Sequence, residues 1–145
     1  MQRARFYHNT PDPLVLACEL VGNAWSSGRT ATVRCADEES EHRFDLMLWT
    51  LNPGSFIPHV RHDSPFATQT PIVLSRAPLP GDAPQTDILF NLARDLAPDI
   101  EHYRLVVEIV GQQESDKAPA RERWKQYVQR GYEMQAFDSV LREAL

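Results

Sequence analysis

Two stretches of the chain, Ile88 to Leu92 and Leu105 to Val110, are nearly continuous in apolar residues. Runs of this kind suit strands covered on both faces, as in a parallel sheet sandwiched between helices. A sheet with one wet face would alternate instead. Around these runs, apolar residues recur at helical spacing. Leu14, Ala17, Cys18, Val21 and Trp25 fall at steps of three and four and mark one helix face, which Gly28 closes. The turn residues Asn9-Thr10-Pro11-Asp12-Pro13 precede it. Further strands are predicted at Arg5 to His8, at Ala31 to Cys35 and at Ile72 to Leu74. Asp37 is a natural N-cap for a second helix reaching about Trp49, with Phe44, Met47 and Leu48 inward, and Asn52-Pro53-Gly54 breaks it. A last strong helix is expected from Asp116 as N-cap to Arg130. Pro119 then sits in its first turn, where a missing N–H costs little, and Gly131 sits at C′. Phe137, Val140 and Leu141 suggest a short terminal helix. Strands alternating with helices predict a three-layer α/β/α sandwich with a mostly parallel sheet, one domain spanning 1–145.

At 145 residues the chain can bury a core without staples. Its net charge of -5 and pI near 5.5 argue against general binding to a DNA backbone, which calls for a basic surface. A local basic patch stays compatible with that total. Met1 to Tyr7 is polar and basic, unlike a secretory leader, and no stretch approaches the roughly 20 apolar residues that span a bilayer. A cytoplasmic location is expected, with Cys18 and Cys35 as reduced, buried small hydrophobes, a redox or metal role being the alternative. The turn His8-Asn9-Thr10-Pro11 has no glycine to let phosphate approach the backbone, and neither G-x-x-x-x-G-K-[ST] nor G-x-S-x-G occurs. No cofactor is therefore expected. His59 and His62, beside Asp63, have no third ligand in a zinc pattern; they and His8, His42 and His102 read as surface histidines, so no metal is expected. Asp37, Glu38, Glu39 and Glu41 open a helix, where carboxylates complement the macrodipole, so they read as structural and not catalytic.

Two features resist a structural reading. In Leu48-Trp49-Thr50-Leu51-Asn52-Pro53-Gly54-Ser55-Phe56-Ile57-Pro58-His59, two large aromatics bracket a Pro-Gly turn. Either both rings pack inward or they form an exposed patch that marks a partner site. In the last helix, Lys117, Arg121, Trp124 and Val128 follow one another at steps of four, three and four along one stripe. Either Trp124 and Val128 face the core with solvated cations beside them, or the stripe binds an acidic peptide ending in an apolar residue. Cations at a helix start oppose the macrodipole, a mild local cost that hints at something else favouring them, and both readings stay open on the residues alone.

Taken in order, these segments resemble the chi subunit of bacterial DNA polymerase III. The resemblance is carried by Phe6-Tyr7, Trp25-x-x-Gly28, Asp45-x-x-Leu48-Trp49 and Ser55-Phe56-Ile57-Pro58-His59. Pro71-Ile72-Val73, Asp87-Ile88-Leu89 and Lys117-x-x-Ala120-Arg121-x-Arg123-Trp124-Lys125-x-Tyr127 extend it, closed by Gly131. It implies a non-catalytic adaptor in the clamp-loader assembly, without cofactor. That adaptor joins the psi subunit to the C-terminal tail of single-stranded DNA-binding protein, and reaches DNA only through that protein. By position, Trp49 and Phe56 match the family's psi-binding aromatics. Lys117, Arg121 and Trp124 match positions that hold the acidic, phenylalanine-ended tail, with Val110 and Lys125 nearby. Where the family usually has tyrosine this chain has Trp124, which keeps the aromatic wall and drops a hydroxyl. Val60 to Pro71 and the residues after Gly131 match poorly. The competing readings are a nucleotide-binding α/β enzyme and a protein that binds single-stranded DNA directly, stacking bases on Trp124.

Overall fold

The computed structural model describes residues 2–51 and 56–144. Strand β1 (Arg3–Thr10) leads into α1 (Pro13–Ser26), whose start is set by Asp12 accepting from the Val15 N–H at 3.4 Å and by Pro13 in the first turn. Gly28 follows with φ +74, the left-handed conformation that lets the chain turn back into β2 (Ala31–Arg34). Asp37 caps α2 (Glu38–Thr50) by accepting from the Ser40 N–H at 2.8 Å. The chain continues through β3 (His59–Arg61), β4 (Ile72–Ser75), β5 (Ile88–Asn91), β6 (Leu105–Gly111), α3 (Glu114–Gln129), β7 (Glu133–Asp138) and β8 (Glu143–Ala144).

The eight described strands form one sheet in the order β3-β4-β2-β5-β6-β1-β7-β8, parallel except for β8, which runs antiparallel to β7. Side chains alternate across it. Ile88, Phe90, Leu105 and Val107 join Cys18, Val21, Phe44 and Leu48 in a core beneath α1 and α2. Leu89, Val106 and Val110 join Phe6, Ala120 and Tyr127 in a second core beneath α3. The near-continuous apolar runs are thus strands buried on both faces, as a three-layer α/β/α sandwich requires.

Four local expectations are corrected. Asp116 is not the N-cap of α3. Gln113 occupies that place, and Asp116, one turn in, accepts from the Gln113 N–H at 3.4 Å. The Asp116 carboxylate folds back so tightly that a Cβ at Gly111 would collide with it. The terminal helix is a strand: β7 pairs in parallel with β1, Arg5 opposite Gln135 and Tyr7 opposite Phe137. Pairing wins because it satisfies the backbone groups of β1 that an exposed edge would leave open. It also stacks Tyr7 and Phe137 with centroids 5.4 Å apart. His59 is no surface histidine but buried, with Nε2 3.0 Å from Asp45. Trp25, expected inward, is 37% exposed in the last turn of α1, where Ala24 takes the buried position instead. Cys18 and Cys35 are free and buried, and burial pushes both thiols up to about 12.

Candidate functional site

Strands β1 and β6 are neighbours, but the chain leaves them in opposite directions. After β1 it crosses to α1 on one face, and after β6 it crosses to α3 on the other. That divergence opens a crevice at the carboxyl ends of the two strands, the place where parallel α/β sheets bind ligands. A cleft of about 560 Å³ lies there, lined by His8, Asn9, Val110, Lys117, Ala120, Arg121, Trp124 and Lys125. All five residues of the expected tail-binding set are therefore gathered in one hollow. Val128 is not among them; it is 52% exposed on the next turn.

The rotation of α3 decides this. Arg123 points inward and its Nε donates to Glu108 at 2.9 Å, while Tyr127 donates its hydroxyl to the same carboxylate at 2.8 Å and Asn91 donates at 3.0 Å. Burial pushes the Glu108 pKa up, against the pull of Arg123. It also pushes the Tyr127 hydroxyl strongly up. With Arg123 and Tyr127 inward, Lys117, Arg121 and Lys125 are exposed and Trp124 is half-buried at the boundary. Its indole meets Phe6 edge-on at 5.0 Å and His8 at 6.2 Å, so the ring is braced from below while lining the cleft.

The cleft's electrostatics hold two features that the sequence reading missed. Arg121 donates to Glu114 at 2.7 Å across seven residues of the helix start, an exposed pair that lowers the Glu114 pKa and raises that of Arg121. Any anionic ligand must compete with Glu114 for that guanidinium. Lys125 pairs with Glu122 at 3.3 Å, while Lys117 has no ion pair among the described residues. His8, at the carboxyl end of β1, has its pKa lowered by burial, opposed by Asp138. Only the switch-point rule, applied with β1 beside β6, would have flagged His8 and Asn9 from the sequence.

The second expected surface lies on the other helical layer. Trp49, 51% exposed on the last turn of α2, and Phe56, 63% exposed, have centroids 5.6 Å apart. Beneath them His59 meets the Trp49 ring at 4.9 Å and holds the Ile57 carbonyl through Nδ1 at 2.7 Å. Leu46, one turn before Trp49, is 50% exposed as well. The rings therefore do not pack into the core. The Asn52-Pro53-Gly54-Ser55 turn between them lies outside the described residues. Among the described residues no three His, Cys, Asp or Glu side chains are placed to hold a metal ion, and no helix is long and apolar enough to cross a membrane.

Fold and site together define a class: a doubly wound, three-layer α/β domain with a cationic and aromatic cleft at its switch point and an exposed aromatic patch on the opposite layer. The sequence model of the family described as "DNA polymerase III chi subunit, HolC" matches residues 1–135. The chain is 30% identical to DNA polymerase III subunit chi of Pseudomonas aeruginosa over 139 residues, 93% of this chain and 95% of that one. It is 30% identical to the Escherichia coli subunit of that name over 142 residues, 92% and 96% of the two chains. It is 29% identical to the Haemophilus influenzae one over 120 residues, 82% of each. The chain belongs to the DNA polymerase III chi subunit family.

Proposed function

We propose that the chain is a non-catalytic adaptor of the DNA polymerase III holoenzyme. It grips the C-terminal tail of single-stranded DNA-binding protein with Lys117, Arg121, Trp124, Lys125 and Val110, and the psi subunit of the clamp-loader complex with Trp49 and Phe56. The observation that carries this reading is the convergence of three cations, an indole and an apolar floor in one cleft at the switch point. An acidic peptide ending in phenylalanine needs cations for its carboxylates and a walled apolar hollow for its ring. Trp49 and Phe56 support the second contact, because paired exposed aromatics are what partner sites present. The two surfaces sit on opposite layers, so one partner does not block the other.

A nucleotide at the cleft is disfavoured by the residues that would meet its phosphates. The turn after β1 lacks glycine, and α3 opens with Glu114 and Asp116, whose charges repel phosphate at the helix start. Calorimetry with a tail peptide tests the adaptor reading. Binding should weaken with salt and should fall sharply when the terminal phenylalanine is deleted. Equal affinity for the truncated peptide would overturn the assignment.

A further inference from the structure

A second cleft, of about 340 Å³, opens on the far side of the sheet from the α3 cleft, along the seam between α1 and β1. Arg3 and Arg5, two apart on one strand and so on the same face, line it together with Arg29 and Asn23 from the end of α1 and the turn after it. None of the three arginines forms an ion pair with a carboxylate among the described residues, although Glu133 stands opposite Arg3 on β7. Seven of the other ten arginines, Arg34, Arg61, Arg76, Arg94, Arg121, Arg123 and Arg142, do find a carboxylate, while Arg43, Arg104 and Arg130 have none among the described residues.

Arg5 is held in place by neutral groups. Its Nε donates to Gln135 at 3.0 Å and its guanidinium lies over the Phe137 ring at 5.7 Å. The side chain is thus ordered while its charge stays uncompensated. A fixed, unneutralised guanidinium fork is suited to phosphate. A smaller hollow lies beside this cleft, shares Tyr7, Leu20 and Asn23 with it, and has Phe137 on its wall. In that hollow Glu19 is paired with Arg142 at 3.3 Å, and Asp138 is the remaining carboxylate. Tyr7 and Phe137 already stack on each other beside Arg5, so the wall offers apolar contact to a ligand that continues past its phosphates, which fits this shape better than an isolated anion.

We propose that the α1–β1 cleft binds the phosphate backbone of a single-stranded nucleic acid, with Arg3, Arg5 and Arg29 each meeting a phosphate. The contact is local, which reconciles it with a net charge of -5, and it is independent of the tail reading because it lies on the other helical layer.

The test is the fluorescence anisotropy of a labelled oligothymidylate titrated with the full chain at several salt concentrations. Three phosphate contacts on a single strand predict a log–log salt slope of about -2, an affinity loss of about 20-fold between 50 and 200 mM. Arg29→Gln, at an exposed position, and Arg3→Gln, at a half-buried one, should each weaken binding several-fold; Arg29→Gln should leave the melting temperature unchanged, and Arg121→Ala should leave binding intact. Four outcomes would overturn the proposal: no binding at low salt, no effect of the Arg3 and Arg29 substitutions, loss with Arg121→Ala, or displacement by inorganic phosphate or oligoglutamate as readily as by unlabelled strand.

Discussion

Arg123 and Glu108 meet 2.9 Å apart between α3 and β6, both almost fully buried. This contact fixes which way α3 is turned, and so which side chains reach the cleft. A buried pair of this kind is weak evidence for added stability, since desolvation offsets much of its attraction; removing one partner is another matter.

Arg123→Ala should therefore destabilise the fold by about 3–5 kcal/mol, because Glu108 is left buried without its cation. Chemical denaturation measures this. A double variant, Arg123→Met with Glu108→Leu, should recover much of the loss, and a double variant no better than Arg123→Ala would show that the pair is not the orienting contact.

Arg121→Ala should weaken binding of a phenylalanine-ended acidic peptide by about tenfold, the scale of one charge-assisted hydrogen bond. Glu114→Gln should do the opposite and tighten it by about two- to fivefold, since it releases Arg121 from an exposed pair of modest strength. Calorimetry on both variants checks the two signs; a weaker complex with Glu114→Gln would mean that Glu114 does not compete for the guanidinium.

Trp49→Ala should cost about 2 kcal/mol or more of psi-subunit binding while leaving the tail peptide's affinity unchanged. Its effect on folding should be small, as the ring is half exposed. Copurification with psi, followed by peptide titration of the same variant, separates the two surfaces.

His8 gives the fold a pH dependence of defined sign. Its folded pKa is lowered by burial, so the unfolded chain takes up the proton first. The stability it contributes is fully present above the unfolded value of about 6.5 and is lost as pH falls through that value toward the lower folded one. Melting temperature followed from pH 8 to pH 5 should drop more for the natural chain than for His8→Leu. Parallel curves would remove His8 as the cause.

Much of the architecture was legible in local pattern. The apolar runs at Ile88 and Leu105 announced strands with two covered faces, and Asp37 and Gly28 marked helix ends where they occur. The stripe Lys117, Arg121, Trp124 could be drawn because residues three and four apart on a helix are neighbours whatever the rest of the chain does.

Tertiary structure alone decided the rest. Phe137, Val140 and Leu141 have helical spacing, yet Phe137 lies in strand β7 and the other two in the turn after it, because β1, more than a hundred residues away, offers an open edge. His59 is buried because α2 brings Asp45 to it. His8 joins the cleft because β1 lies beside β6, and Arg5 finds no carboxylate because Gln135 stands opposite it, whereas Arg3 faces Glu133 across the same strand pair. Sequence periodicity fixes which faces of an element are apolar. Which elements become neighbours, and hence which charges meet, depends on long-range pairing that short-range spacing does not encode.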